Sequence, residues 1–163
     1  MELKLYSTAM NTQYIYASFG YYADMEMLVS LDESFSFVYS TNCTQVSANG
    51  TNTNRSCTAE PLNAFADYSL KDYPATFTNQ TLSSYVYDGY TISGWATQAN
   101  ICFQQEASSS LPWGYFKCSP NIHSERFVVV DQVSMFNTWN SFRPSYAGIV
   151  GIGGKSPIWR DVY

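Results

Sequence analysis

Apolar residues recur at every second position in separate stretches of this chain: Ile15, Ala17 and Phe19; Met25, Met27 and Val29; Phe35, Phe37 and Tyr39; and Phe127 and Val129 interleaved with Val128 and Val130, running on to Asp131. Successive side chains of an extended backbone point to opposite faces, so a period of two gathers apolar groups on one side of a sheet. The same stretches are rich in Tyr, Phe, Val and Thr, and Asn49-Gly50, Asp88-Gly89, Pro112 and Pro120 punctuate them. An all-β chain is predicted. Helix is confined to one or two short pieces. Residues 59–70 have room for a turn or two, and 156–163 offer Ser156 as a cap with Pro157 at the first helical position.

A chain of 163 residues can bury one core, and with no internal repeat or linker it is read as a single domain, 1–163. Aromatic residues make up 17% and charged residues only 13%, which excludes a disordered chain and a highly charged helical bundle. The net charge is −5, and the eight Lys and Arg never cluster, so no nucleic acid is expected as a partner. No apolar run approaches the roughly 20 residues of a membrane-crossing helix, so no transmembrane segment is expected. Met1-Glu2-Leu3-Lys4 does not read as a signal peptide, and the chain is taken as a mature or excised piece.

Four Asn-x-Ser/Thr sequons begin at Asn42, Asn49, Asn54 and Asn79, beside an even count of cysteines, Cys43, Cys57, Cys102 and Cys118. Three of the sequons crowd the polar stretch around 43–57, which reads as an exposed loop carrying N-glycans in an oxidising compartment. The expected location is secreted, on the extracellular surface, or in the lumen of the secretory or lysosomal pathway. Four cysteines allow about three connectivities. The most local, Cys43–Cys57 with Cys102–Cys118, is preferred.

Other chemistries fail on spacing. The chain has no Cys-x-x-Cys pair and one histidine, His123, so no metal is expected. In "GIVGIGGKS" the first glycine of a phosphate loop would fall on Ile149, with Gly148 one residue early, so no nucleotide cofactor is expected. No Gly-x-Ser-x-Gly elbow exists to partner His123 in a triad. Tyr14, Tyr16, Tyr21 and Tyr22 could form a carbohydrate platform, but aromatics at strand spacing more often pack against one another, and packing is the preferred reading. Trp95, Trp113 and Trp139 carry the same ambiguity.

Three elements in order carry a family resemblance: "LKLYSTAMNTQYIYASFG", "VSLDESFSFVYSTNC" and "FRPSYAGIVGIGG", with the hairpin-like "YVYDGYTISG" between the last two. Together they resemble the amino-terminal lobe of the pepsin-like aspartic proteases, over essentially the whole chain. The first looks like that family's opening strands, with Tyr14 and Gly20 in matching places. The second is similar to its Ile-Phe-Asp-Thr-Gly-Ser strand, and the third to its Phe-Asp-Gly-Ile-Leu-Gly-Leu-Gly. The resemblance implies a single lobe of the acid protease fold. Asp32 then matches the catalytic aspartate, Tyr87 the tyrosine of the flap hairpin, and Gly151 the glycine of the strand beside the aspartate loop.

In that family two aspartates, one from each lobe, share a proton and activate a water for peptide-bond hydrolysis. No second Asp-Thr-Gly or Asp-Ser-Gly occurs in this chain. Glu33 and Ser34 stand where the family has Thr and Gly. A Glu in the buried interface between lobes must lose its hydration or find a cation, and Ser34 adds a Cβ where backbone approaches the carboxylate. Asp88-Gly89-Tyr90 replaces small flap residues, Ala147 stands in place of Asp, and Cys102 and Cys118 have no counterpart in the family's usual first lobe. Two readings follow. The first is a catalytically degenerate glycoprotein domain used for structure, assembly or binding. The alternative is an aspartic-type endopeptidase half whose Asp32 pairs with a carboxylate from another lobe or a second copy. The implied partners are proteins: a copy of itself, a second lobe, or a peptide substrate.

Overall fold

The computed structural model describes residues 4–7, 12–20, 22–47, 49–57, 65, 71–72, 76–87, 89–105, 116–118, 125–135 and 146–154. These form β1 (Tyr6–Ser7), β2 (Gln13–Phe19), β3 (Tyr22–Ser30), β4 (Ser36–Val46), β5 (Asn52–Ser56), β6 (Thr78–Tyr87), β7 (Tyr90–Ala99), β8 (Ile101–Gln104), β9 (Phe116–Cys118), β10 (Glu125–Met135) and β11 (Gly148–Gly151). They pair into one mixed sheet of 11 strands in the order β6-β7-β10-β4-β11-β3-β2-β8-β9, with β1 on β2 and β5 on β4.

Each expected alternating stretch is a strand. Lys71 and Asp72 are the only helical positions among the described residues. Within the expected helix at 59–70 only Phe65 is described, and it is extended. It bridges Ser40, with its N–H donating to the Tyr39 carbonyl and its carbonyl accepting from Thr41 N–H, both at 2.8 Å. The expected helix at 156–163, and Tyr21, Trp113, His123 and Trp139, lie outside the described residues.

The centre of the sheet is buried on both faces. Phe127, Val129, Val38 and Val150 join Phe19, Phe65 and Phe77 on one side. Val128, Val130, Phe37, Tyr39 and Ile149 join Ile92 and the Cys43–Cys57 pair on the other. A strand covered on both faces has no solvent side to mark with polar residues, which is why 127–130 reads as a continuous apolar run.

The polar stretch around 43–57 is more ordered than the expected loop. β4 continues to Val46 and β5 returns along it, so most of the stretch is a hairpin. Gln45 is buried, its amide donating to the Ser56 carbonyl at 2.9 Å, while the Thr53 hydroxyl donates to the Gln45 carbonyl at 2.7 Å. The Cys43–Cys57 disulfide closes it. Polar side chains hid these strands because β5 is solvated almost throughout. Cys102 is also disulfide-bonded, and Cys118 is its register partner across β8 and β9. Replacing Cys43 and Cys57 together by alanine should lower stability by about 3 kcal/mol, because a cross-link of this span restricts the unfolded chain. Urea unfolding would measure it, and a loss below about 1 kcal/mol would contradict that estimate.

Candidate functional site

β3 and β4 are consecutive in the chain but not neighbours in the sheet. β11 runs between them, parallel to β3 from Gly148↔Met27 to Gly151↔Ser30 and antiparallel to β4 at Gly148↔Val38 and Ile149↔Phe37. The connection from β3 to β4 therefore arches over the end of β11, and Asp32 lies in that arch.

Backbone contacts brace the arch. Ile152 N–H donates to the Ser30 carbonyl at 2.8 Å, Gly153 N–H to the Glu33 carbonyl at 2.7 Å, and Gly151 N–H to the Ser36 hydroxyl at 3.1 Å. Glu33 N–H donates to the Ser30 hydroxyl at 3.3 Å. Gly151 is required by proximity: a Cβ there would lie 2.2 Å from the Phe35 carbonyl oxygen and 2.7 Å from that of Glu33. The side chains face outward. Leu31, Asp32 and Ser34 are exposed and Glu33 is half-buried. Among the described residues the Asp32 carboxylate has no hydrogen-bond or charge partner.

β6 and β7 form the hairpin expected around Tyr87, closed by the Tyr87↔Tyr90 pair with Gly89 in the left-handed region of its turn at φ 78°. This hairpin packs onto β4. Tyr85 stacks on Phe35 with ring centroids 4.6 Å apart, and Tyr87 meets Phe37 edge-on at 5.2 Å. Phe37 in turn meets Tyr39 edge-on at 5.4 Å. Burial, reinforced by Tyr87 and Tyr90, pushes the Tyr39 phenol well above the usual tyrosine range. It stays protonated at acid and neutral pH. Offset and edge-on ring pairs of this kind each add about 0.5–1.5 kcal/mol beyond their area.

Chemically, the arch offers two neighbouring carboxylates that water reaches, exposed Asp32 and half-buried Glu33. A shared-proton dyad needs two carboxylates about 3 Å apart in a site from which water is largely removed. Sequence reasoning singled out Asp32 and Tyr87 for the site, took Phe35 only as part of an alternating strand, and did not name Tyr85. The signal was available as two i, i+2 aromatic pairs, Phe35/Phe37 and Tyr85/Tyr87, which place two rings each on one strand face.

Elsewhere, Tyr14 and Tyr16 pack together as expected. Tyr14 stacks on Tyr6 at 5.1 Å and touches Tyr146 at 6.1 Å, and Tyr16 meets Tyr6 edge-on at 5.3 Å. The four sequon asparagines, Asn42, Asn49, Asn54 and Asn79, are all exposed. Among the described residues no cluster of three or more His, Cys, Asp or Glu side chains could hold a metal, and no helix is long and apolar enough to cross a membrane. Compared with known protein families and with curated proteins, the chain matches none.

Proposed function

We propose that this chain is a pepsin-like amino-terminal lobe that has lost catalysis and serves in assembly or binding within a secreted, surface or lumenal glycoprotein. The observation that carries the loss of catalysis is the aromatic packing between the hairpin and β4. In a working lobe a peptide runs beneath the flap; here Tyr85 and Tyr87 rest on Phe35 and Phe37, immediately after Asp32. Support for the lobe itself comes from β11, which lies between β3 and β4 and braces the arch as the match at Gly151 implies. The Cys43–Cys57 disulfide and the exposed sequons suit an oxidising, glycosylating compartment.

One observation favours the endopeptidase-half alternative. Leu31, next to Asp32, is 73% exposed, an apolar side chain at the tip of the arch where a second lobe or copy could cover it. Hydrolysis of a denatured protein substrate at acidic pH, compared between the native chain and Asp32→Asn, separates the two readings. The expected result is no cleavage by either protein, with stabilities within about 0.5 kcal/mol because Asp32 is exposed. Cleavage that disappears in Asp32→Asn would sink the degenerate reading.

A further inference from the structure

The outer face of the β6–β7 hairpin carries a second arrangement, independent of whether Asp32 ever worked. Along β10 the pairing with β7 steps from Val130↔Gly94 to Gln132↔Ser93, so Asp131 is an extra residue at a β-bulge. A bulge leaves its extra residue outside the regular ladder and re-aims its side chain. Half-buried Asp131 thereby joins Ser83, Ser84, Ser93 and Gln132 around an open hollow of about 440 Å³, with Leu82 on one side. Gly94 also lines it, and a Cβ there would stand 1.9 Å from the Val129 carbonyl oxygen.

The lining has two chemical halves. Ser84 and Ser93 are cross-strand neighbours with hydroxyls 3.0 Å apart, and beside them lie one carboxylate and one amide. Each serine hydroxyl both donates and accepts, a primary amide does both, and a carboxylate accepts up to about four hydrogen bonds. The other half is apolar. Leu82 is 71% exposed and pairs across the strands with Trp95, which stands outside the lining itself, 38% exposed on the face that Ser93 shares. Paired hydroxyl partners beside an exposed indole suit a pyranose ring, whose rim carries hydroxyls and whose face carries C–H groups. The volume is within the range of small-molecule sites, about 300–1,000 Å³. Among the described residues no cationic side chain lines the hollow, and Asp131 is acidic, which selects against anionic sugars.

We propose that this hollow binds a neutral saccharide, with Asp131, Ser84, Ser93 and Gln132 holding its hydroxyls and the Leu82–Trp95 pair supporting its apolar face. The test is a titration of the isotopically labelled chain with maltose, cellobiose, lactose and N,N′-diacetylchitobiose, with sialyllactose as the anionic contrast, followed through backbone amide signals. At least one neutral disaccharide is expected to shift the signals of 82–84, 93–95 and 131–132 at concentrations on the order of 10 mM or below, with sialyllactose weaker. Asp131→Asn and Trp95→Ala are each expected to weaken that binding about tenfold while the other amide signals stay in place. If Trp95→Ala disturbs signals throughout the chain, Gln132→Ala, at an exposed position, replaces it with the same expected direction. Three outcomes overturn the proposal: no shift with any neutral disaccharide, shifts confined to another surface, or binding that Asp131→Asn leaves unchanged.

Discussion

Replacing Phe127 by alanine is expected to cost about 3–5 kcal/mol, a large part of the total stability of a domain this size. Phe127 is buried on β10, a strand hydrogen-bonded on both sides, to β4 and β7. Its ring lies 4.9 Å from that of Phe19 and 6.3 Å from that of Phe65, and Phe65 meets Phe77 edge-on at 5.4 Å. Truncation removes the ring that joins Phe19 to Phe65. The backbones on either side are fixed by ladders, so the space cannot collapse, and the cavity adds to the lost transfer energy. Urea denaturation should show the midpoint falling with little change in slope. A loss below about 1.5 kcal/mol would mean that the neighbouring rings can close the gap.

That core was legible in the sequence because its cause is local. Period-two alternation at Ile15–Ala17–Phe19 and Met25–Met27–Val29 reports which side of a strand is dry, and these residues pack together on one face, with Val29 half-buried at its margin. The run 127–130 also read as strand, although its two-sided burial depends on what packs over each face, Phe19, Phe65 and Phe77 on one and Tyr39 and the Cys43–Cys57 pair on the other. What escaped the sequence depends on distant partners or on backbone. The 43–57 hairpin was read as a loop because its outer strand has no dry face to generate a pattern. Nothing in Phe35 or Tyr85 alone announces that residues so far apart in the chain will stack. The bulge at Asp131 is a register step between two strands, and a register step has no composition. For the site, only the resemblance set Gly151 beside the loop of Asp32, and β11 does approach that arch closely, but the outward direction of the Asp32 side chain could not be read from its neighbours.

Gly151→Ala should be the sharpest test of that arch, with an expected loss of about 3 kcal/mol, at the upper end for an overpacked site. The obstacles are the carbonyl oxygens of Phe35 and Glu33, 2.2 and 2.7 Å from the new methyl carbon. Both belong to backbone, so no side chain can swing aside. Relief requires β11 to part from the arch, and that motion pulls on the Gly151 N–H bond to Ser36 and on the Gly153 N–H bond to the Glu33 carbonyl. Faster hydrogen exchange at residues 151–153 should therefore accompany the loss of stability. Gly154→Ala serves as the control. Nothing lies within 4 Å of a Cβ at that exposed position, and a change within about 0.5 kcal/mol is expected. If Gly151→Ala were as mild as Gly154→Ala, β11 could shift away from the arch at little cost. The close approach would then not explain the glycine, and its match to the glycine beside the aspartate loop of pepsin-like lobes would lose its physical basis. If the loss is large and exchange rises only around the arch, the close approach of β11 to the Phe35 and Glu33 carbonyls is what requires glycine at 151, as the proposed pepsin-like reading needs.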